Sequence, residues 1–265
     1  MVKTISSLQN PFIKQLVLLK EKSKLRKKTG LFVIEGKREL SLAIKGNYTI
    51  ETLYYYADLF SASEAASLGV YGIDVIEITK AVYEKIAHRE TTEGIIAVAK
   101  AKEFDLKNLN FKTKTPLILV AEAPEKPGNI GALLRTADAA NVDAIIISNP
   151  LTDVYNPNII RSSVGGVFTV PIATGTSEEV INYLKQHSIS IYAAILQESV
   201  VYDTINFKKA TAIVVGAESN GLSQDWRDVS TAKIRIPMQG KIDSMNVSVA
   251  AGILIYEAKR QRKFS

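Results

Sequence analysis

Three polar loops, each beside an apolar segment, carry the residues whose types and spacing could do chemistry. The last of them places Ser244, Asn246 and Ser248 at the start of an apolar helix that begins near Val247. A Ser or Asn side chain there can accept hydrogen bonds from the free N–H groups of the first helical turn. Because several polar groups crowd the start of a helix without a polar stripe, they could also face a ligand or a partner chain.

The other two loops have the same order of apolar segment, glycine-containing turn and polar residues. The first places Asn129 and Arg135 after its turn, and the second follows Gly216 with Glu218. Structural explanations stay open for these residues. Arg135 could form a weak surface ion pair with Asp138. Glu218 could brace its own turn through backbone N–H groups, and Gly216 could be a plain turn at a strand end.

Together the three loops resemble the three motifs of the SpoU-type RNA 2′-O-ribose methyltransferases, a family of the knotted SPOUT superfamily. The segment 156–165, Asn-Pro-Asn-Ile-Ile-Arg-Ser-Ser-Val-Gly, matches the family as well, and the resemblance covers about the last 150 residues. It implies an α/β domain with a parallel sheet and a trefoil knot, S-adenosylmethionine as cofactor, and a homodimer formed through this domain.

The positions of the motifs carry the family's site residues over to this chain. The resemblance implies catalysis or substrate positioning by Asn129, Arg135, Glu218, Ser244 and Asn246. It implies cofactor contacts from Leu196, Gly216, Ile236 and Met245, and a phosphate or substrate contact from Arg161. Without the resemblance, Ile236 and Met245 would be interpreted as core residues.

The implied reaction is attack of a ribose 2′-hydroxyl on the methyl carbon of S-adenosylmethionine, which releases S-adenosylhomocysteine. The hydroxyl must lose its proton, and a guanidinium with a pKa above about 12 is a poor proton acceptor. We therefore expect Arg135 to orient the adjacent phosphate and to stabilise the developing alkoxide, while the identity of the base stays open. The two histidines, His88 and His187, lack partners at metal-binding spacing, so no metal site is expected.

Composition and charge are compatible with an RNA-binding protein without requiring one. The chain of 265 residues has a net charge of +6, no cysteine, and no apolar run long enough for a membrane helix. We expect a cytoplasmic protein without disulfides. Six cations lie within the nine residues 20–28, at the far end of a helix predicted to begin at Pro11. The favourable interaction of cations with a helix end would explain only part of this cluster. We expect phosphate contacts from Lys24, Arg26, Lys27 and Lys28.

Alternating helix and strand patterns divide the chain into two α/β domains. We expect a small domain at 1–105, which the resemblance implies is RNA-binding, a linker at 106–115, and a second domain at 116–265, which the resemblance implies is the methyltransferase domain. The segments Phe-Val-Ile-Glu-Gly at 32–36 and Thr-Glu-Gly-Ile-Ile-Ala-Val at 92–98 resemble the RNA-binding domain ahead of many SpoU-type domains, which is similar to a small ribosomal protein. Continuous apolar runs in the second domain predict buried parallel strands.

Three further expectations concern single elements. The apolar stripe predicts one helix over Pro11–Lys28, which carries the basic cluster at its end. An apolar run predicts a strand over Phe168–Ile172. The apolar residues of Val247–Tyr256 predict a helix that is buried on most sides.

These observations favour S-adenosylmethionine-dependent 2′-O-methylation of a ribose in structured RNA, 23S ribosomal RNA in particular. One alternative keeps the chemistry and changes the substrate to transfer RNA. Another is a non-catalytic RNA-binding or ribosome-assembly protein that retains the fold. The complete polar set argues against that last alternative, because a pure binder has no need for Asn129, Glu218 and Ser244 together.

Overall fold

The structure is a computed structural model, and it describes residues 3–70, 72–88 and 93–264. Thr92, the first residue of the predicted Thr-Glu-Gly segment, lies outside the described residues. None of the helices in the described part of the chain combines the length and apolar character that crossing a membrane requires.

The described residues form two compact units. The first unit comprises Met1–Glu103 and Asp153–Thr169, and the second comprises Phe104–Thr152 and Val170–Ser265. The segment 153–169 therefore packs with the first unit, although the prediction placed it in the second domain. The linker expected at 106–115 stays a prediction.

The first unit is built on a five-stranded mixed sheet. Its strands are β1 (Lys3–Ile5), β2 (Leu31–Glu35), β3 (Ile50–Tyr55), β4 (Asp74–Ile78) and β5 (Ile95–Lys100). Its first five helices are α1 (Pro11–Glu21), α2 (Ser23–Thr29), α3 (Lys37–Lys45), α4 (Ala62–Ser67) and α5 (Lys80–Ile86). The strand order is β1-β4-β3-β5-β2, and β5 runs antiparallel to both of its neighbours. Apolar residues of the strands, α1 and α5 form one core of this unit.

The predicted single helix over Pro11–Lys28 is wrong, because the chain forms α1 and α2 with an extended Lys22 between them. Arg26 of α2 supplies the reason. Its Nη1 donates to the carbonyl oxygens of Leu19 (2.6 Å) and Lys20 (3.0 Å) at the end of α1. The last carbonyls of a helix lack partners within the helix, so the break allows Arg26 to satisfy two of them.

The second unit is built on a seven-stranded sheet that is parallel throughout. Its strands are β6 (Leu117–Glu122), β7 (Ala144–Ser148), β8 (Ile172–Gly175), β9 (Ser190–Ala194), β10 (Val200–Val201), β11 (Thr211–Val215) and β12 (Ala232–Arg235). Its helices are α6 (Pro127–Ala139), α8 (Ser177–Gln186), α9 (Gln224–Val229) and α10 (Val247–Gln261), while α7 (Pro157–Ser162) belongs to the first unit. The strand order is β10-β12-β9-β11-β6-β7-β8. The α/β class and the parallel sheet are confirmed, whereas the trefoil knot stays a prediction.

Two element predictions in the later part of the chain need correction. The strand expected over Phe168–Ile172 is wrong, because Phe168 ends a 3-10 helix and β8 begins only at Ile172. Phe168 instead stacks on Phe32 in the first unit, with ring centroids 6.0 Å apart. The helix α10 is buried on one side only, since Val249 and Tyr256 are 52% and 44% exposed.

Candidate active site

A cavity of about 500 Å³ opens at the carboxyl edge of the parallel sheet in the second unit. Its walls come from the ends of β9, β11 and β12, the turn after β11, and the loop that enters α10. Ligands of open parallel sheets bind outside the carboxyl ends of the strands, and this cavity has the size and mixed polar and apolar lining of such sites.

All four residues expected to contact the cofactor line this cavity. They come from separate parts of the chain: Leu196 follows β9, Gly216 follows β11, Ile236 follows β12, and Met245 lies before α10. Leu196 is 45% exposed, so its side chain is not part of the core. Ile236 and Met245 are partly exposed, which also removes plain core packing as their explanation.

Gly216 is held where only glycine fits, because the turn after it folds back over its α-carbon. A Cβ at this position would lie 2.2 Å from the carbonyl carbon of Gly221 and 2.5 Å from the backbone N of Leu222. Gly221 has a φ of +65° and its N–H donates to the carbonyl oxygen of Ala217 over 3.0 Å. The turn 217–221 is therefore fixed against the end of β11, and one wall of the cavity depends on that contact.

A chain of hydrogen bonds joins the three polar loops. Asn129 Nδ2 donates to Glu218 Oε1, and Asn246 Nδ2 donates to Asn129 Oδ1 over 3.1 Å. Asn129 thus both donates and accepts, which sets the orientation of its amide. Glu218 is held by a side chain from another loop, and its own turn is closed by a backbone bond instead. Residues distant in the sequence meet here because the loops share one edge of the sheet.

Asn246 is also the N-cap of α10. Its Oδ1 accepts from the backbone N of Ser248 at 2.9 Å and from the hydroxyl of Ser248 at 2.6 Å. The two interpretations of this loop are therefore compatible, since one amide caps the helix with its oxygen and reaches Asn129 with its nitrogen.

Ser244 and Arg135 differ in their relation to the cavity. Ser244 is exposed and lines it. Arg135 is exposed on α6, about 1.7 turns beyond Asn129, and is not among the described residues that line the cavity. An exposed guanidinium on this helix is accessible to an RNA phosphate.

The remaining predicted contacts belong to the first unit. Arg161 lies on α7, where its Nη2 donates to Asn158 Oδ1 over 2.6 Å and the side chain stays exposed. Lys24, Lys27 and Lys28 are exposed on α2. The structure therefore places these residues in a different compact unit from the cavity.

The predicted phosphate contact from Arg26 is wrong. Arg26 is only 5% exposed, and its Nε and Nη2 donate to the two carboxylate oxygens of Asp153 over 2.9 Å and 2.7 Å. With Nη1 bound to the end of α1, the guanidinium is fully occupied within the first unit. Lys24, Lys27 and Lys28 lie close to it in the sequence, and charge alone does not distinguish a buried arginine from exposed lysines.

Sequence reasoning also missed several residues at or beside the cavity. Arg227 and Asp243 line the cavity. Ser223 follows the turn 217–221 that forms one cavity wall, and it donates to Glu122. The signal that could have found Ser223 is its position before a helix, where Ser is a common cap. For Glu122 the signal is an acidic residue at the end of a wholly apolar strand.

Comparisons with known proteins agree with this geometry. The SpoU rRNA Methylase family model matches residues 116–256, and the model of the MRM3-like substrate binding domain matches residues 10–97. The chain is similar to the 23S rRNA (guanosine(2553)-2′-O)-methyltransferase RlmP of Bacillus subtilis, with 28% identity over 97% of this chain and 100% of that protein. It is 32% identical to the 23S rRNA (guanosine-2′-O-)-methyltransferase RlmB of Vibrio vulnificus, over 74% of this chain and 81% of that protein.

A solved structure is similar to this chain over both units, and it contains a bound cofactor. The crystal structure of an AdoMet-bound rRNA methyltransferase from Sinorhizobium meliloti is similar to this chain with a TM-score of 0.90 and 30% identity, covering 98% of each chain.

We expect Gly216→Ala to weaken S-adenosylmethionine binding by about 10-fold or more and to lower the melting temperature. The added methyl group would overlap Gly221, so the turn must move and the cavity wall with it. Calorimetric titration and thermal unfolding measure the two effects. Gly240→Ala is the matched control, because nothing lies within 4 Å of its added Cβ. Unchanged affinity in the Gly216 variant would contradict a cofactor site at this turn.

Proposed function

Because the chain belongs to the SpoU rRNA methylase family, we propose that it methylates the 2′-oxygen of a ribose in 23S ribosomal RNA. Its class, an RNA 2′-O-methyltransferase that uses S-adenosylmethionine, follows from the family and from the AdoMet-bound structure it resembles. The observation that supports a complete active site is the hydrogen-bonded chain from Glu218 through Asn129 to Asn246 beside the cavity.

The residues of the cavity fit S-adenosylmethionine. When bound, the cofactor supplies an electrophilic methyl group on a sulfonium. Apolar side chains of Leu196, Ile236 and Met245 suit an adenine ring, and the bare backbone at Gly216 allows a close approach of polar ligand atoms. We propose that these residues bind the cofactor and that Ser244 orients groups at its rim.

The polar residues divide the work of preparing the ribose hydroxyl. Asn129, Asn246 and Ser244 can hold and orient groups but cannot accept a proton at neutral pH. We propose that Arg135 binds the adjacent phosphate and stabilises the developing alkoxide. Among the five predicted catalytic residues only Glu218 is a feasible proton acceptor, so the proton leaves through Glu218 or directly to water.

The named relatives favour ribosomal RNA over transfer RNA. RlmP and RlmB act on 23S rRNA by their names, and RlmP matches the chain over both units. We extend that substrate class to this chain. Since its substrate is assembled into ribosomes, we propose the cytoplasm as its location, which cell fractionation would test.

Incubation with tritiated S-adenosylmethionine and 23S rRNA from a strain lacking the gene should label one nucleotide. The label should survive alkali together with the bond 3′ to it, because a methylated 2′-oxygen cannot attack the neighbouring phosphate. Arg135→Ala should lower kcat by about 100-fold, and Arg135→Lys should retain more activity. Lys185→Ala, which removes an exposed cation on α8 of the same unit and far in sequence from the proposed site and dimer face, is the control. Label in transfer RNA alone would support the first alternative, and no label with either RNA would support the non-catalytic one.

We propose that the exposed lysines of α2 contact RNA phosphates, since Lys24, Lys27 and Lys28 lie within one short helix of the matched substrate-binding region. Replacing all three by Ala should reduce the slope of log Kd against log salt by about 2 to 3, at roughly 0.7 to 0.9 per contact. Binding is measured by fluorescence anisotropy on a labelled rRNA fragment. Arg26→Met should instead lower stability and leave the slope unchanged, because Arg26 is buried against Asp153. An equal slope for wild type and the lysine variant would contradict the proposal.

We propose that the chain forms a homodimer through the exposed side of α10. Val249 and Tyr256 are seven residues apart and share one face, with the partly exposed Ile253 between them. Val249→Glu should shift the sedimentation coefficient from dimer to monomer, because it places a charge in an apolar contact. Leu151→Glu, which changes an exposed leucine outside α10, should leave the dimer intact. A monomeric wild-type protein would refute this arrangement.

A further inference from the structure

A buried carboxylate behind the cavity has no part in the chemistry described above. Glu122 is the last residue of β6 and is 5% exposed. No ion pair within the described ranges includes it. A carboxylate removed from water is strongly unfavourable unless other groups replace the lost hydrogen bonds. The donors that surround Glu122 therefore show what it holds.

Two serines supply the donors. Ser223 donates its backbone N–H to Oε2 over 2.8 Å and its hydroxyl to Oε1 over 2.7 Å. The hydroxyl of Ser177 donates to Oε1 over 2.9 Å. Because Ser223 binds both oxygens of one carboxylate, both its position and its orientation are set by Glu122.

Ser223 is unusual as a helix cap. It occupies the N-cap position of α9, yet its side chain makes no capping hydrogen bond. A serine at this position normally accepts from an N–H of the first turn. Here the hydroxyl is turned to Glu122, so the contact replaces the local role of the residue.

Ser223 also ends the segment that forms the wall of the cavity. The preceding residue, Leu222, lines the cavity and is 2% exposed, and its backbone N lies against Gly216. Gly221, at the end of the turn, and Leu222 therefore lie against Gly216, and the next residue, Ser223, is held by Glu122. The turn 217–221 carries Glu218, which accepts from Asn129.

We propose that Glu122 is a positioning residue, whose buried carboxylate fixes Ser223 and thereby the cofactor-binding turn and Glu218. This inference rests on the proposed cofactor site. A carboxylate is required because two acceptor oxygens face donors. Glutamine would present an NH₂ group to one of them, and aspartate is shorter by one methylene.

The two serines provide a pair of variants that separate positioning from stability. Ser223→Ala and Ser177→Ala each remove one hydroxyl bond to the same oxygen of Glu122, but only Ser223 closely follows the turn. The Ser177 hydroxyl also accepts from Trp226 Nε1 and Asn149 Nδ2, so its loss acts mainly on stability. Calorimetric titration of the full chain with S-adenosylmethionine and thermal unfolding separate positioning from stability. We expect Ser223→Ala and Glu122→Gln to raise the Kd by about 10-fold. Ser177→Ala should lower the melting temperature while its Kd stays within about 2-fold of wild type. Ser223→Thr should bind S-adenosylmethionine like the wild type, because threonine keeps the hydroxyl.

Several results would overturn the inference. One is a wild-type Kd in Ser223→Ala and Glu122→Gln, with only the melting temperature lowered. Another is an equal rise in Kd for Ser177→Ala, which would show a general loss of rigidity. A wild-type protein that does not bind S-adenosylmethionine would instead refute the proposed function and this inference with it. Failure of the two proposals is thus distinguished by the wild-type titration.

Discussion

The parallel direction of all seven strands in the second unit is the constraint on which its site depends. Since parallel strands end at one edge, the loops after β6, β9, β11 and β12 must meet there. Residues as far apart in the chain as Asn129 and Asn246 come within hydrogen-bonding distance for that reason. A sheet with mixed strand directions would divide these loops between two edges and separate the cavity from its polar residues.

Convergence alone would leave the loops mobile, and two close contacts make the turn after β11 rigid. At Gly216 the backbone of the turn lies where a side chain would otherwise be. Just after the turn, Glu122 holds Ser223 through both oxygens. Rigid placement matters for methyl transfer because reacting atoms displaced by an ångström lose much of the benefit of proximity. The rigid interior of the sheet thus fixes the position of an exposed polar group, Glu218, on the turn.

The sequence was enough to predict the motif residues, because their local chemistry is distinctive. It was not enough to predict which polar side chains are buried. Leu196, Gly216, Ile236 and Met245 were expected together and do line one cavity, because glycine turns and strand ends mark the edge of a sheet. Arg26 was placed among RNA contacts because its neighbours are cations, whereas Asp153, distant in the sequence, buries it. Ser223 was missed for the same reason, because its partner Glu122 is distant in the sequence and close only in the folded chain.

Asn246 shows why a structural and a functional interpretation need not compete. Its oxygen caps α10, and its nitrogen reaches Asn129 at the cavity. A change in the hydrogen bond between Asn246 and Asn129 would therefore also alter the start of α10, whose exposed face carries Val249 and Tyr256. If that face pairs with a second copy of the chain, assembly and the orientation of Asn129 are linked through one amide. Such a link would act in both directions, because ordering one end would reduce the entropic cost of ordering the other.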